Sequence, residues 1–196
     1  NVVQDYNNQE PGAKVGYLQS LEAQYGEQYG RVLNQLTENG LPVTAKLVSY
    51  LNDENFATMA TSIDTKEEKT RLNDYVKTQT NTTFNEINQE VATEMEDFRK
   101  VVMFSNKMNT TKANEELGDI QKIITYIAIN SMSAGMDQTK AIKQATNYIN
   151  NNFVTAGGGT FADDTYFIPK NYNNERLSVK HIEFIEQKAK VIKNKY

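Results

Sequence analysis

Leu117-Gly118-Asp119-Ile120-Gln121-Lys122-Ile123-Ile124-Thr125-Tyr126-Ile127-Ala128 is the stretch that decides the fold class. Its apolar residues, Leu117, Ile120, Ile123, Ile124, Ile127 and Ala128, recur every three or four positions, which is the period of an α-helix. The stripe is wide, so this helix is expected to be the most buried element of its domain. Asn109-Thr110-Thr111 punctuates the chain before it. Gly135 ends it, and Asp137 is placed to cap a further helix carrying Ala141, Ile142, Ala145 and Ile149.

Upstream, residues 65–104 contain neither Gly nor Pro, and Leu72, Val76, Phe84, Ile87, Val91, Met95, Phe98 and Val102 keep helical spacing with one gap at position 80. A straight helix of that length would span ~60 Å at ~1.5 Å per residue, against a domain diameter of roughly 42 Å. It must therefore protrude as a rod, or kink or break. The weak point is Thr78, Thr80, Thr82 and Thr83, because β-branched threonines lose rotamer freedom in a helix and compete for backbone hydrogen bonds. Further upstream, Val15, Leu18, Leu21 and Tyr25 mark one helix face, with Gly26 and Gly30 interrupting or capping it. Val32, Leu33 and Leu36 continue to the stop signal Asn39-Gly40. Pro42 suits the first turn of the helix bearing Val43, Leu47, Val48 and Leu51. Asp53 suits the N-cap of one bearing Phe56, Met59, Ala60 and Ile63. Residues 1–12, polar and ending in Pro11-Gly12, read as a flexible lead-in.

Downstream, Thr155 to Asp164 with Gly157-Gly158-Gly159 reads as a loop, and Tyr166-Phe167-Ile168 is strand-like up to Pro169. A last helix is expected from about Leu177 to Lys195. The fold class is therefore mainly α: a multi-helix domain over 13–196, with a sub-boundary near 105–111, one long helix that kinks or protrudes, and at most a minor β-hairpin near 153–168.

Composition narrows the chemistry. The 196 residues carry 21 basic and 25 acidic side chains, no cysteine and one histidine, His181. Disulfides, thiolate nucleophiles and cysteine-based zinc sites are excluded, and most triads with them. Twenty-three asparagines are scattered along the chain, which fits an AT-rich coding sequence and not an aggregating tract. No apolar run approaches the ~20 residues of a membrane helix, and Asn1 to Glu10 is too polar for a signal peptide. A first residue other than Met suggests a segment of something longer.

Glu90, Glu94 and Asp97 share one helix face, a spacing that could hold a metal, but the Glu-x-x-His pairs of a di-iron bundle are missing; a solvated face is the expected reading. Gly157-Gly158-Gly159 lacks the Lys-Ser or Lys-Thr of a phosphate loop. Asp163-Asp164 lacks the spaced ligands of a calcium loop. The Asn81-Thr82-Thr83 and Asn109-Thr110-Thr111 sequons have no secretory signal beside them. No Gly-x-Ser-x-Gly elbow occurs, so no catalytic residue, metal or cofactor is expected.

Charge is the better clue. Lys170 to Tyr196 carries seven basic residues against three acidic ones, a net of +4, and the remaining residues net −8. Ile182, Ile185, Ala189 and Ile192 form a 3-4-3 seam there, flanked by Lys180, Lys188, Lys190, Lys193 and Lys195. The seam would pack onto the core or pair with another chain. The lysines would complement the helix dipole or contact phosphates.

Two stretches resemble a known family. Leu18-x-x-Leu21-Glu22-x-x-Tyr25-Gly26, Tyr29-Gly30-x-Val32-Leu33, Asn39-Gly40-Leu41-Pro42 and Thr44-Ala45 resemble segments of the long internal virion proteins of short-tailed bacteriophages, ejected core proteins that often also carry a lytic transglycosylase domain. Ala141-x-x-x-Ala145, running through Phe153 to Phe167-Ile168-Pro169, resembles a helix, short loop and hydrophobic-Pro unit of the same proteins. The resemblance implies a structural segment located in the virion or host cytoplasm. Its partners would be other virion chains or a second copy, with nucleic-acid contact through the basic last helix as the alternative. The transglycosylase glutamate motif is not readable here, so no peptidoglycan activity is implied for this segment.

Overall fold

The computed structural model describes residues 1–51, 53–96, 98, 110–151, 153–157 and 165–169. The chain is mainly helical. Among the described residues, α1 (Val2–Asn7), α2 (Pro11–Tyr25), a 3-10 turn at Gly26–Gln28, α3 (Tyr29–Glu38), α4 (Val43–Leu51) and α5 (Glu54–Ile63) come first. They are followed by α6 (Lys66–Gln79), α7 (Phe84–Glu94), α8 (Thr110–Ser133) and α9 (Gln138–Asn150). Strands β1 (Phe153–Gly157) and β2 (Thr165–Pro169) form one antiparallel hairpin, in register from Phe153 opposite Pro169 to Gly157 opposite Thr165.

The wide apolar stripe puts α8 at the centre. Leu117, Ile120, Ile123, Ile124, Ile127, Ala128, Ile129 and Met132 are all buried, and the helix packs against α4, α5, α6, α7 and α9. Each fully buried isoleucine contributes roughly 1.5–3 kcal/mol of apolar transfer free energy, which makes this helix the largest single source of cohesion. The second layer is α2 against α3, α4 and α5. Leu18, Leu21, Tyr29, Leu33 and Leu51 are buried there.

The turns follow local chemistry. Gly40 (φ +105°) and Gly135 (φ +102°) adopt the positive φ that ends α3 and α8. The Leu41 N–H closes onto the Leu36 carbonyl at 2.8 Å and the Met136 N–H onto the Ser131 carbonyl at 3.0 Å. Asp53 and Asp137 accept from the Phe56 and Lys140 N–H groups at 2.9 and 3.2 Å, the N-caps expected of them. Pro42 sits one residue before α4.

Four expectations need correction or completion. Residues 1–12 are no flexible lead-in: Asn1 caps α1, Tyr6 is fully buried, and Pro11 opens α2. Val2, Val3 and Tyr6 line one face of this short helix against the core, and Gln4, Asp5 and Asn7 are exposed. Residues 65–104 form no continuous rod. Thr80 leaves the helical region (φ −129°, ψ 165°) and ends α6, while Thr83 starts α7 with a reciprocal capping box to Glu86. The threonines win because their hydroxyls satisfy the freed backbone groups: Thr80 Oγ1 donates to the Val76 carbonyl at 2.6 Å. Gly30 lies inside α3 and interrupts nothing. Thr155, Ala156 and Gly157 belong to β1 and not to the loop, because their backbones pair with Phe167, Tyr166 and Thr165. The sub-boundary near 105–111 falls almost wholly outside the described residues, as does the helix expected at 177–195.

Candidate functional site

Polar side chains of α4, α6 and α7 bond to α8, so the site is built from that helix outward. Asn73 Nδ2 of α6 donates to the Tyr126 hydroxyl at 3.2 Å, Tyr75 donates its hydroxyl proton to the Met132 carbonyl at 3.0 Å, and Arg71 Nη2 donates to Asn130 Oδ1 at 3.1 Å. On α7, the Asn88 carbonyl accepts from Gln121 Nε2 at 2.8 Å, and Asn88 Oδ1 accepts from the Thr125 hydroxyl at 2.8 Å. Lys46 of α4 bonds Glu116 at 2.6 Å. Gln121 and Thr125 are buried within the apolar run of α8, one turn apart. A buried polar group without a partner costs about 1–3 kcal/mol, so these bonds fix which helix faces which.

Outside this network, α7 exposes Glu86, Glu90 and Glu94. Glu90 Oε1 accepts from Gln138 Nε2 of α9 at 3.1 Å, and the Glu94 carbonyl accepts from Asn150 Nδ2 at 3.0 Å. The hydroxyl of Thr82, then the Thr83 N–H, hold the Glu86 carboxyl below the usual carboxylate range. The beginning of this acidic face thus serves a helix cap. Across from it, α9 exposes Lys140 and Lys143, which border an open groove of about 630 Å³ reaching Asp53 and Tyr148. Acidic and basic strips therefore run on neighbouring helices.

A third set is a group of tyrosines in the α1–α4 layer. The Tyr29 and Ser49 hydroxyls bond at 2.8 Å. Burial, then the negative charge of Glu116, push the Tyr50 phenol up to about 12. Burial, then Asp64, push Tyr6 far above the ordinary phenol value. The Tyr50 and Tyr6 phenols keep their protons at neutral pH, and the Tyr6 ring works as packing surface.

Of the residues singled out in the sequence, Glu90 and Glu94 share one face as expected, and no group of three or more potential ligands gathers among the described residues. Asp97, Gly158, Gly159, Asp163, Asp164 and His181 lie outside the described residues. So do the interaction candidates Lys180, Ile182, Ile185, Lys188, Ala189, Lys190, Ile192, Lys193 and Lys195. The Asn88–Gln121–Thr125 cluster was not singled out. Its signal was legible as two polar residues, four apart, inside the wide apolar stripe of α8. Among the described residues no helix is long and apolar enough to cross a membrane. No protein-family model, curated protein or solved structure matches the chain.

Proposed function

We propose that this chain is a structural domain of a phage virion protein, acting by protein–protein packing. The observation that carries the reading is the polar network around α8. Asn73, Tyr75, Asn88, Gln121, Thr125 and Tyr126 bond one another or the backbone across helix pairs. Side chains of the types that could bind or transform a small molecule are engaged in holding helices in register. The body is a stiff carrier, and its exposed strips of opposite charge on α7 and α9 are surfaces for another chain. The likeness of 18–51 and 141–169 to internal virion proteins supports the same reading.

The test is sedimentation velocity of the full chain, alone and with duplex DNA, at rising salt. Self-association that persists into high salt supports packing through apolar surface. A monomer that binds DNA with affinity falling steeply in salt would instead favour phosphate contact by the basic segment 170–196.

A further inference from the structure

Tyr6 combines two facts that do not usually coexist. Its side chain is fully buried, and its hydroxyl has no hydrogen-bond partner among the described residues. Nearly all buried hydroxyls in folded proteins are paired, so an unpaired one marks a place where burial is opposed by desolvation. The element that carries it is weak on other grounds. Helix α1 has six residues, well under the length at which a helix holds by itself. Besides Tyr6, it is held among the described residues only by Val2 and Val3, which are half-buried against the core. The Tyr17 hydroxyl reaches the Val2 carbonyl only at 3.5 Å, and Val3 Cγ1 lies 3.9 Å from where a Cβ on Gly40 would stand. Tyr6 itself is held by its ring, which lies 6.3 Å from the ring of Tyr17 and beneath Lys14 Nζ at 5.2 Å.

We propose that α1 is a releasable strap: it opens as a unit, withdrawing Tyr6 from its seat, while α2 to α9 stay folded. Ring burial closes the strap and the unpaired hydroxyl opposes closure, so the two states lie near balance. Opening uncovers Lys14 and Tyr17 on α2, the residues now covered by the ring.

Hydrogen exchange of the full chain under native conditions tests this. The Asp5, Asn8 and Gln9 amides, bonded to Asn1, Gln4 and Tyr6 carbonyls, should exchange at least about tenfold faster than those of Ile124 and Ile127, and with little dependence on added denaturant. Tyr6→Phe keeps the ring and removes the unpaired hydroxyl, so it should slow exchange in α1 by about tenfold. Tyr6→Ala should free the α1 amides and leave the α8 amides protected. Exchange of α1 and α8 at one common rate would overturn the strap. So would a Tyr6→Phe variant whose α1 exchanges as fast as the parent or faster, since the hydroxyl would then have a partner.

Discussion

Helices α8 and α1 each bury a hydroxyl, and the two are treated in opposite ways. Thr125 sits fully buried in the central helix, with Asn88 Oδ1 and the Gln121 carbonyl both 2.8 Å from its oxygen. Tyr6 sits equally buried, and its hydroxyl has no partner among the described residues. The contrast separates an element whose position the rest of the molecule determines from one that is merely tolerated. Five neighbouring helices constrain α8, and its polar atoms select their arrangement. One ring and two half-buried valines constrain α1.

The strongest way to sharpen that comparison is to damage the centre. Ile124→Ala should lower the unfolding free energy by roughly 2–5 kcal/mol in a urea titration, because the site is surrounded and collapses poorly. High pH should act next, and from the tyrosine side. The unfolded chain releases phenol protons near pH 10, while Tyr50, raised to about 12, and Tyr6, raised further by burial and Asp64, still hold theirs. Stability contributed below pH 10 should therefore be lost as pH climbs toward 12, by on the order of 1.4 kcal/mol per pH unit for each such phenol. Thermal midpoints measured at pH 8 to 11 would check it, and a midpoint that rises over that range would contradict the burial of these phenols.

A smaller effect discriminates the two hydroxyls directly. Thr125→Val should cost about 1 kcal/mol, since it leaves Asn88 Oδ1 without its donor, whereas Tyr6→Phe should cost nothing. Equal losses from both would erase the distinction. Smallest is Glu116→Gln. Its pair with Lys46 is partly exposed, at 17 % and 33 % of the two side chains, so the loss at neutral pH should stay below ~1 kcal/mol. The same change removes a charge that helps raise Tyr50, so the stability lost between pH 10 and pH 12 should be smaller in the variant than in the parent.

Much of the architecture was legible along the chain. The stripe of α8, the glycine stops at Gly40 and Gly135, and the Asp53 and Asp137 caps are local signals, and each is where its spacing places it. The break between α6 and α7 was legible as a weak point but not as an outcome. Four threonines are compatible with a strained rod until capping at Thr83 and the hydroxyl bond of Thr80 settle the matter. Helix α1 was illegible because Val2, Val3 and Tyr6 are too few to show a period, and the seat of Tyr6 against Lys14 and Tyr17 is a matter of packing. Glu90 and Glu94 were readable as one face, but their partners on α9 were not.

By itself, then, the order of residues determined a helical chain, where most of its helices begin and end, and which one lies deepest, since periodicity and capping act within a few positions. Only the tertiary structure decided that Asn88 meets Thr125, that Asn73 meets Tyr126, and that Tyr6 is enclosed with its hydroxyl unpaired. Those outcomes depend on partners 37 and 53 residues apart in two of these cases. No local spacing encodes which of many amphipathic faces will come together, because that choice is made by packing the whole chain at once.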